Sequence, residues 1–152
     1  MNESYLAIGW REWLALPELG LPRIKAKVDT GARTSALHAF ELESYLDKGA
    51  LRVRFRVHPF QKDDQTIVEC DEPVLDKRWV TDSGGHREER FVISTRLEIS
   101  PKQSCPIELT LTNRDNMKFR MLLGRTAMKG RMIVMPGESY LLDKPGVRLS
   151  GE

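Results

Sequence analysis

The sequence predicts an all-β protein: a single domain over 1–152, closed into a barrel, with little helix. Three observations carry that reading. Apolar and polar residues alternate with a period of two along several segments, which is the signature of strands with one buried face. Clusters of turn-forming residues fall between those segments. The length of 152 residues suits one core of ordinary size.

Taken in order, a first strand ends near Leu16, and Pro17 to Pro22 turns the chain into the strand Arg23–Val28, which closes at Asp29. Glu41 to Lys48 reads as a helix. Leu51, Val53, Phe55 and Val57 alternate with Arg52, Arg54, Arg56 and His58, and Gln61-Lys62-Asp63-Asp64 caps the hairpin that follows. Asp82-Ser83-Gly84-Gly85 reads as a second hairpin tip. Phe91, Ile93, Thr95, Leu97 and Ile99 line one face of a long strand, and Ile107, Leu109 and Leu111 line one face of the next. Asn113 to Asn116 is a turn leading into Met117, Phe119, Met121 and Leu123, again at strand spacing. A helical turn is expected from Thr126 to Lys129, and Pro136-Gly137 separates two last short strands. No repeat, linker or low-complexity stretch interrupts this pattern.

Composition bounds the function. The charged fraction is 30% and the net charge +2, which argues against a nucleic-acid binder. No apolar run approaches the ~20 residues of a bilayer span, and the N-terminus shows no signal-peptide pattern. Cys70 and Cys105 stand in no metal-like or redox spacing, which favours a cytoplasmic setting. Two basic features stand out: Arg52, Arg54 and Arg56 on one strand face, and six cations against one acid between Arg114 and Arg131. Each reads first as a solvated face and second as a surface for an acidic peptide.

The chemistry concentrates at Asp29-Thr30-Gly31-Ala32. A carboxylate ends an apolar-faced strand and is followed by a hydroxyl and small residues that let another backbone come close. About 90 residues later, Met121-Leu122-Leu123-Gly124-Arg125 reads as a buried strand breaking at a glycine. Together, Val28-Asp29-Thr30-Gly31-Ala32 and Leu122-Leu123-Gly124-Arg125 resemble the retropepsins, single-domain aspartic peptidases that work as dimers. The longer stretches Lys27 to Ala39 and Thr110 to Met128 resemble a narrower bacterial family labelled ATP-dependent zinc protease, which is associated with ATP-grasp glutamate ligases that modify ribosomal protein.

The resemblance implies an acid-protease fold and a homodimer in which Asp29 from two copies activates a water. It implies that Thr30 and Gly31 complete the catalytic loop, with Ala32 and Arg33 beside the substrate. Leu122, Leu123, Gly124 and Arg125 would support the loop from beneath. A flap is expected at the hairpin around Gly84 and Gly85, flanked by Trp79-Val80 and Phe91-Val92-Ile93. The implied partners are a peptide or protein substrate, a second copy of the chain, and a ligase; neither nucleic acid nor membrane is expected. No cofactor and no metal is expected, because the chain has neither a phosphate-binding Gly-rich loop nor His-Glu-x-x-His, and His38, His58 and His86 are scattered. Two other readings stay open. One is a binding or regulatory module on this fold. The other is a zinc peptidase, as the family label has it, with ligands assembled from distant His and Cys residues.

Overall fold

In the computed structural model, residues 5–82, 84–113 and 118–142 are described. The strands are β1 (Leu6–Ile8), β2 (Arg11–Leu16), β3 (Leu21–Val28), β4 (Ser35–His38), β5 (Phe40–Asp47), β6 (Ala50–Val57), β7 (Val68–Pro73), β8 (Asp76–Thr81), β9 (Arg87–Ser100), β10 (Gln103–Thr112), β11 (Met121–Leu123) and β12 (Met132–Val134), with one short helix, α1 (Arg125–Met128).

The principal sheet runs β10-β4-β11-β3-β2-β9-β8, and β10 also pairs with β9, so six of its strands close into a ring and β8 branches from β9. Alternation along β3 sends Ile24 and Ala26, both fully buried, into the ring, while Arg23, Lys25 and Lys27 alternate outward. Leu14, Leu16, Leu37, Ile93, Leu97, Leu109 and Met121 meet them in one core. Along β10 the alternation ends at Thr110 and Thr112, whose hydroxyls are buried and hydrogen-bonded to Ser35 O (3.3 Å) and to the Glu88 carboxylate (2.5 Å). A three-stranded sheet, β5-β6-β7, is built from the chain between β4 and β8, and β1 pairs in parallel with β12.

Three expectations are corrected. Glu41 to Lys48 is not helical but lies in β5 and its turn, pairing with β6 through Glu43↔Arg54, Tyr45↔Arg52 and Asp47↔Ala50. Lys48 and Gly49 both have positive φ, +53° and +84°, which is the two-residue hairpin turn that matches strand twist. Of the expected strand Met117 to Leu123, the described residues 118–123 are strand only over Met121–Leu123; residues 118–120 bend, and buried Phe119 meets Trp10 edge-on at 5.9 Å. Met117 and most of the turn before it lie outside the described residues. Beyond Pro136-Gly137, residues 138–142 form no strand but run beside Gly9–Arg11, through Trp10 N–H to Glu138 O (2.8 Å) and Tyr140 N–H to Arg11 O (3.0 Å). A β-carbon on Gly9 would fall 2.2 Å from Glu138 O, so only glycine admits this approach.

Glu12 fastens the same segment. Its carboxylate is buried and accepts N–H bonds from Gly9 (2.7 Å), Leu141 (2.8 Å) and Leu142 (3.0 Å). Among the described residues no helix is long and apolar enough to cross a membrane.

Candidate active site

β3 and β4 are consecutive in the chain but not adjacent in the sheet. β11 lies between them, parallel to β3 (Leu123↔Val28) and antiparallel to β4 (Met121↔Leu37). The loop 29–34 must therefore cross over the end of β11, and this crossing holds Asp29. Asp29 N–H donates to Leu123 O (2.9 Å), Arg125 N–H to Ala32 O (2.8 Å) and Thr126 N–H to Arg33 O (3.0 Å). The loop is thus anchored at both ends on the residues just before and after Gly124.

Gly124 is required by close approach. A β-carbon there would lie 2.6 Å from the Thr34 carbonyl carbon, 2.8 Å from its oxygen and 2.9 Å from Ser35 N. Its N–H donates to the buried Ser35 hydroxyl at 2.9 Å. The Arg125 guanidinium reaches back to the loop, its Nη1 donating to Thr30 O (3.3 Å) and Gly31 O (3.2 Å), so it braces carbonyls rather than a carboxylate. Within the loop, Gly31 N–H donates to Asp29 Oδ1 at 3.0 Å, which fixes the carboxylate. A β-carbon on Gly31 would press on that same oxygen at 3.3 Å.

Beside the loop, Thr30, Arg33 and Arg125 share a cavity of about 330 Å³ with Thr126, Met128, Lys129, Met132 and Val134. Residues 29–33 and 123–125 are therefore brought together by the fold, with Leu122 pairing opposite Lys27 in β11. Gly84 and Gly85 are not part of this loop; they lie at the tip of the β8–β9 hairpin, where Thr81 pairs with Arg87, and two strands, β2 and β9, stand between β8 and β3 in the sheet order. Trp79 in that hairpin is 58% exposed, with the Arg87 guanidinium 4.8 Å over its ring.

Asp82-Ser83-Gly84, expected from sequence as a hairpin tip, has the same Asp–hydroxyl–Gly form as Asp29-Thr30-Gly31. The structure gives Asp82 a local task. The Asp82 carboxylate accepts N–H bonds from Gly84 (3.0 Å) and His86 (2.8 Å) and so caps its own turn. It follows no strand crossing of the kind that holds Asp29.

Ser35 and the apolar wall of Met128, Met132 and Val134 were not singled out from sequence. Ser35 opens an otherwise apolar buried run, Ser35-Ala36-Leu37, and a hydroxyl in such a place needs a partner, which was the available signal. His38, also buried in β4, donates its backbone N–H to Arg120 O (2.8 Å). His58 stacks on Phe40 with ring centroids 4.4 Å apart. Among the described residues no three of His, Cys, Asp and Glu converge as metal ligands. Arg52, Arg54 and Arg56 are matched by Asp71, Glu43, Glu41 and Glu69 at 2.8–3.7 Å, so that strand face presents no surplus of positive charge.

Both the fold and the sequence are found in known proteins. A Legionella pneumophila protein of unknown function, Lpg0085 (DUF785), has the same fold, with a TM-score of 0.74 at 24% identity over 91% of this chain and 98% of its own. Proteins named probable alpha-L-glutamate ligase are also similar. The one from Desulfotalea psychrophila is 51% identical over 85% of this chain and 28% of its own length. Those from Shewanella pealeana and Parasynechococcus marenigrum are 42% and 48% identical over 96% and 90% of this chain. The chain spans about a third of the length of these relatives (28–32%). Residues 7–145 match the family model described as retropepsin-like aspartic endopeptidase RimB, and the chain belongs to this RimB-like family.

Proposed function

We propose that the chain is an aspartic-type endopeptidase that completes its active site by pairing two copies and that cuts an acidic, glutamate-rich protein substrate. One observation carries the reading: Asp29 is held at a strand-crossing loop that Gly124, Ser35 and Arg125 brace from beneath. A lone carboxylate in a surface turn has no need of such support.

The chemistry follows from two such carboxylates. Brought within hydrogen-bonding distance, they share one proton, because two like charges so close are costly. The ionised member takes a proton from a water between them, and the protonated member polarises the scissile carbonyl and then passes its proton to the leaving amine. No covalent intermediate forms. Gly31 leaves room for the substrate backbone, Ala32 and Arg33 border it, and the β8–β9 hairpin closes over it with Gly84 and Gly85 at the tip. Glycines there favour mobility, and a closed lid excludes water. The glutamate-rich substrate is supported by the names of the relatives, and a ligase is the natural partner. Free Cys70 and Cys105 support a cytoplasmic location.

Those relatives favour a second reading as well. A domain that occurs within probable glutamate ligases serves equally as a docking or regulatory module. Asp29→Asn separates the two. The peptidase reading expects a folded variant of unchanged oligomeric state with hydrolysis of a glutamate-extended protein abolished. Residual turnover in that variant would sink it, and a ligase interaction untouched by the substitution in a chain without turnover would support the module.

A further inference from the structure

The outward face of β2 and β3 carries a second, unassigned feature. β2 and β3 pair with Arg11 opposite Lys27 and Trp13 opposite Lys25, and Arg23 continues the same face two residues on. These four cations make no ion pair among the described residues. That contrasts with β6, where each arginine has a carboxylate, and with Arg78, which is held by Asp76 (2.9 Å) and Glu108 (2.7 Å).

Three of them, Arg11, Arg23 and Lys25, lie over aromatic rings instead. Trp13 and Tyr140 stack with centroids 6.5 Å apart and 26° between planes. Arg11 lies 4.9 Å over Tyr140, Arg23 lies 4.9 Å over Trp13, and Lys25 lies 5.1 Å from the centre of Trp13. Arg11 also donates its Nε–H to Ser139 Oγ at 3.1 Å. A guanidinium over a ring keeps its remaining N–H donors for a carboxylate, which their fork geometry suits.

We infer that this face is a docking surface for the acidic segment of the substrate, which it lays out as an extended chain leading to Asp29. The inference rests on the proposed function and names the part of the molecule that recognises the substrate. Spacing supports it. Arg23, Lys25 and Lys27 recur every second residue of a strand, about 6.7 Å, which is also the spacing of alternate side chains in an extended acidic peptide. Position supports it too, since Lys27 lies two residues before Asp29, which follows β3 directly. Single-stranded nucleic acid also takes alternating cations and rings, but a strand repeat that runs to a carboxylate favours a peptide.

The test uses a fluorescent peptide of about eight glutamates, long enough when extended to cover the stripe and reach Asp29. It is titrated into the full chain carrying Asp29→Asn and read by anisotropy. Arg23→Gln/Lys25→Gln in the same background should weaken binding roughly tenfold, and binding should weaken with added salt. Unchanged affinity in the double variant, or tighter binding of an oligouridine of equal length, would overturn the inference. If the double variant fails to fold, Lys25→Gln alone gives the same readout at smaller size.

Hydrolysis separates this inference from the proposed function. In the otherwise wild-type chain the double variant should raise KM for a glutamate-rich substrate and leave kcat unchanged. Cleavage with an unchanged KM would remove the docking surface and leave the peptidase. Binding by the Asp29→Asn chain without any wild-type cleavage would remove the peptidase and leave the docking surface.

Discussion

Gly124→Ala is the perturbation that most sharply probes how the Asp29 loop is held. The added β-carbon meets the Thr34 carbonyl carbon at 2.6 Å and Ser35 N at 2.9 Å. Carbon contacts are comfortable near 3.5 Å or beyond, so roughly 1 Å of displacement must be shared between β11 and the loop. The contacted atoms are backbone and cannot rotate away. Overpacking of this kind costs about 1–3 kcal/mol, and loosening the buried bond from Gly124 N–H to Ser35 Oγ adds about 1 kcal/mol or more. A total near 3 kcal/mol corresponds to a Tm lower by about 6–12 °C for a chain of this size. The assay is thermal unfolding followed by circular dichroism, with Gly137→Ala as the control. Nothing lies within 4 Å of a β-carbon at Gly137, and its melting should stay close to wild type. Hydrolysis should fall with the displaced loop. A Gly124→Ala chain melting within about 2 °C of wild type would refute the close packing of loop on strand.

Further predictions follow from other buried or paired groups. Glu12→Ala strands three backbone donors, at Gly9, Leu141 and Leu142, and should cost about 2–5 kcal/mol, read as a shift in the urea midpoint with little change in slope; a loss below about 0.5 kcal/mol would show that water replaces the carboxylate. Asp71 is held below its ordinary value of 3.8, first by the Tyr45 hydroxyl and then by Arg52, so the unfolded chain takes up its proton more readily. Its contribution is therefore complete above about pH 4 and is lost as the pH falls through the lower folded-state value; Asp71→Asn should flatten the acid limb of Tm against pH, and an unchanged limb would contradict the pairing. Burial, with Glu72 nearby, pushes the Cys70 thiol up to about 12. In the native chain at pH 8, iodoacetamide should therefore modify half-exposed Cys105 and spare Cys70, and equal labelling of the two would show that β7 opens readily.

How much of this was legible in the sequence depends on the range of the interactions. β6, β9 and β10 announce themselves because each buries one face, as Val53, Phe55 and Val57 or Leu97 and Ile99 show. β5 does not. Leu42 and Leu46 stand four apart among acids, as on a helix, yet Leu46 is 71% exposed and the segment is held as strand by pairing with β6 rather than by a buried face. A lysine at positive φ in the Lys48-Gly49 turn hid the hairpin signal.

The site divides the same way. Asp29 and Gly31 are visible because their bonds are two residues long, and local turn chemistry leaves a mark in sequence. The Asp82 triplet shows the limit of that mark, since the same local form serves an ordinary turn. Ser35 to Gly124 and Glu12 to Leu142 join residues far apart in the chain; a hydroxyl in the apolar run at Ser35 signals that a partner is needed, but nothing local signals which one. The insertion of β11 between β3 and β4 belongs to the same class. It turns two suggestive short motifs into a braced loop, and only the assembled sheet displays it.

The central claim is that Asp29 is one half of a catalytic pair. Its most direct test is the separation of the two Asp29 carboxylates in a crystal structure of the self-assembled chain, with the assembly confirmed in solution by light scattering. The account predicts a dimer with these carboxylates within hydrogen-bonding reach, about 3 Å apart. A chain that stays monomeric with substrate bound, or a dimer that holds the carboxylates tens of ångströms apart, would contradict it.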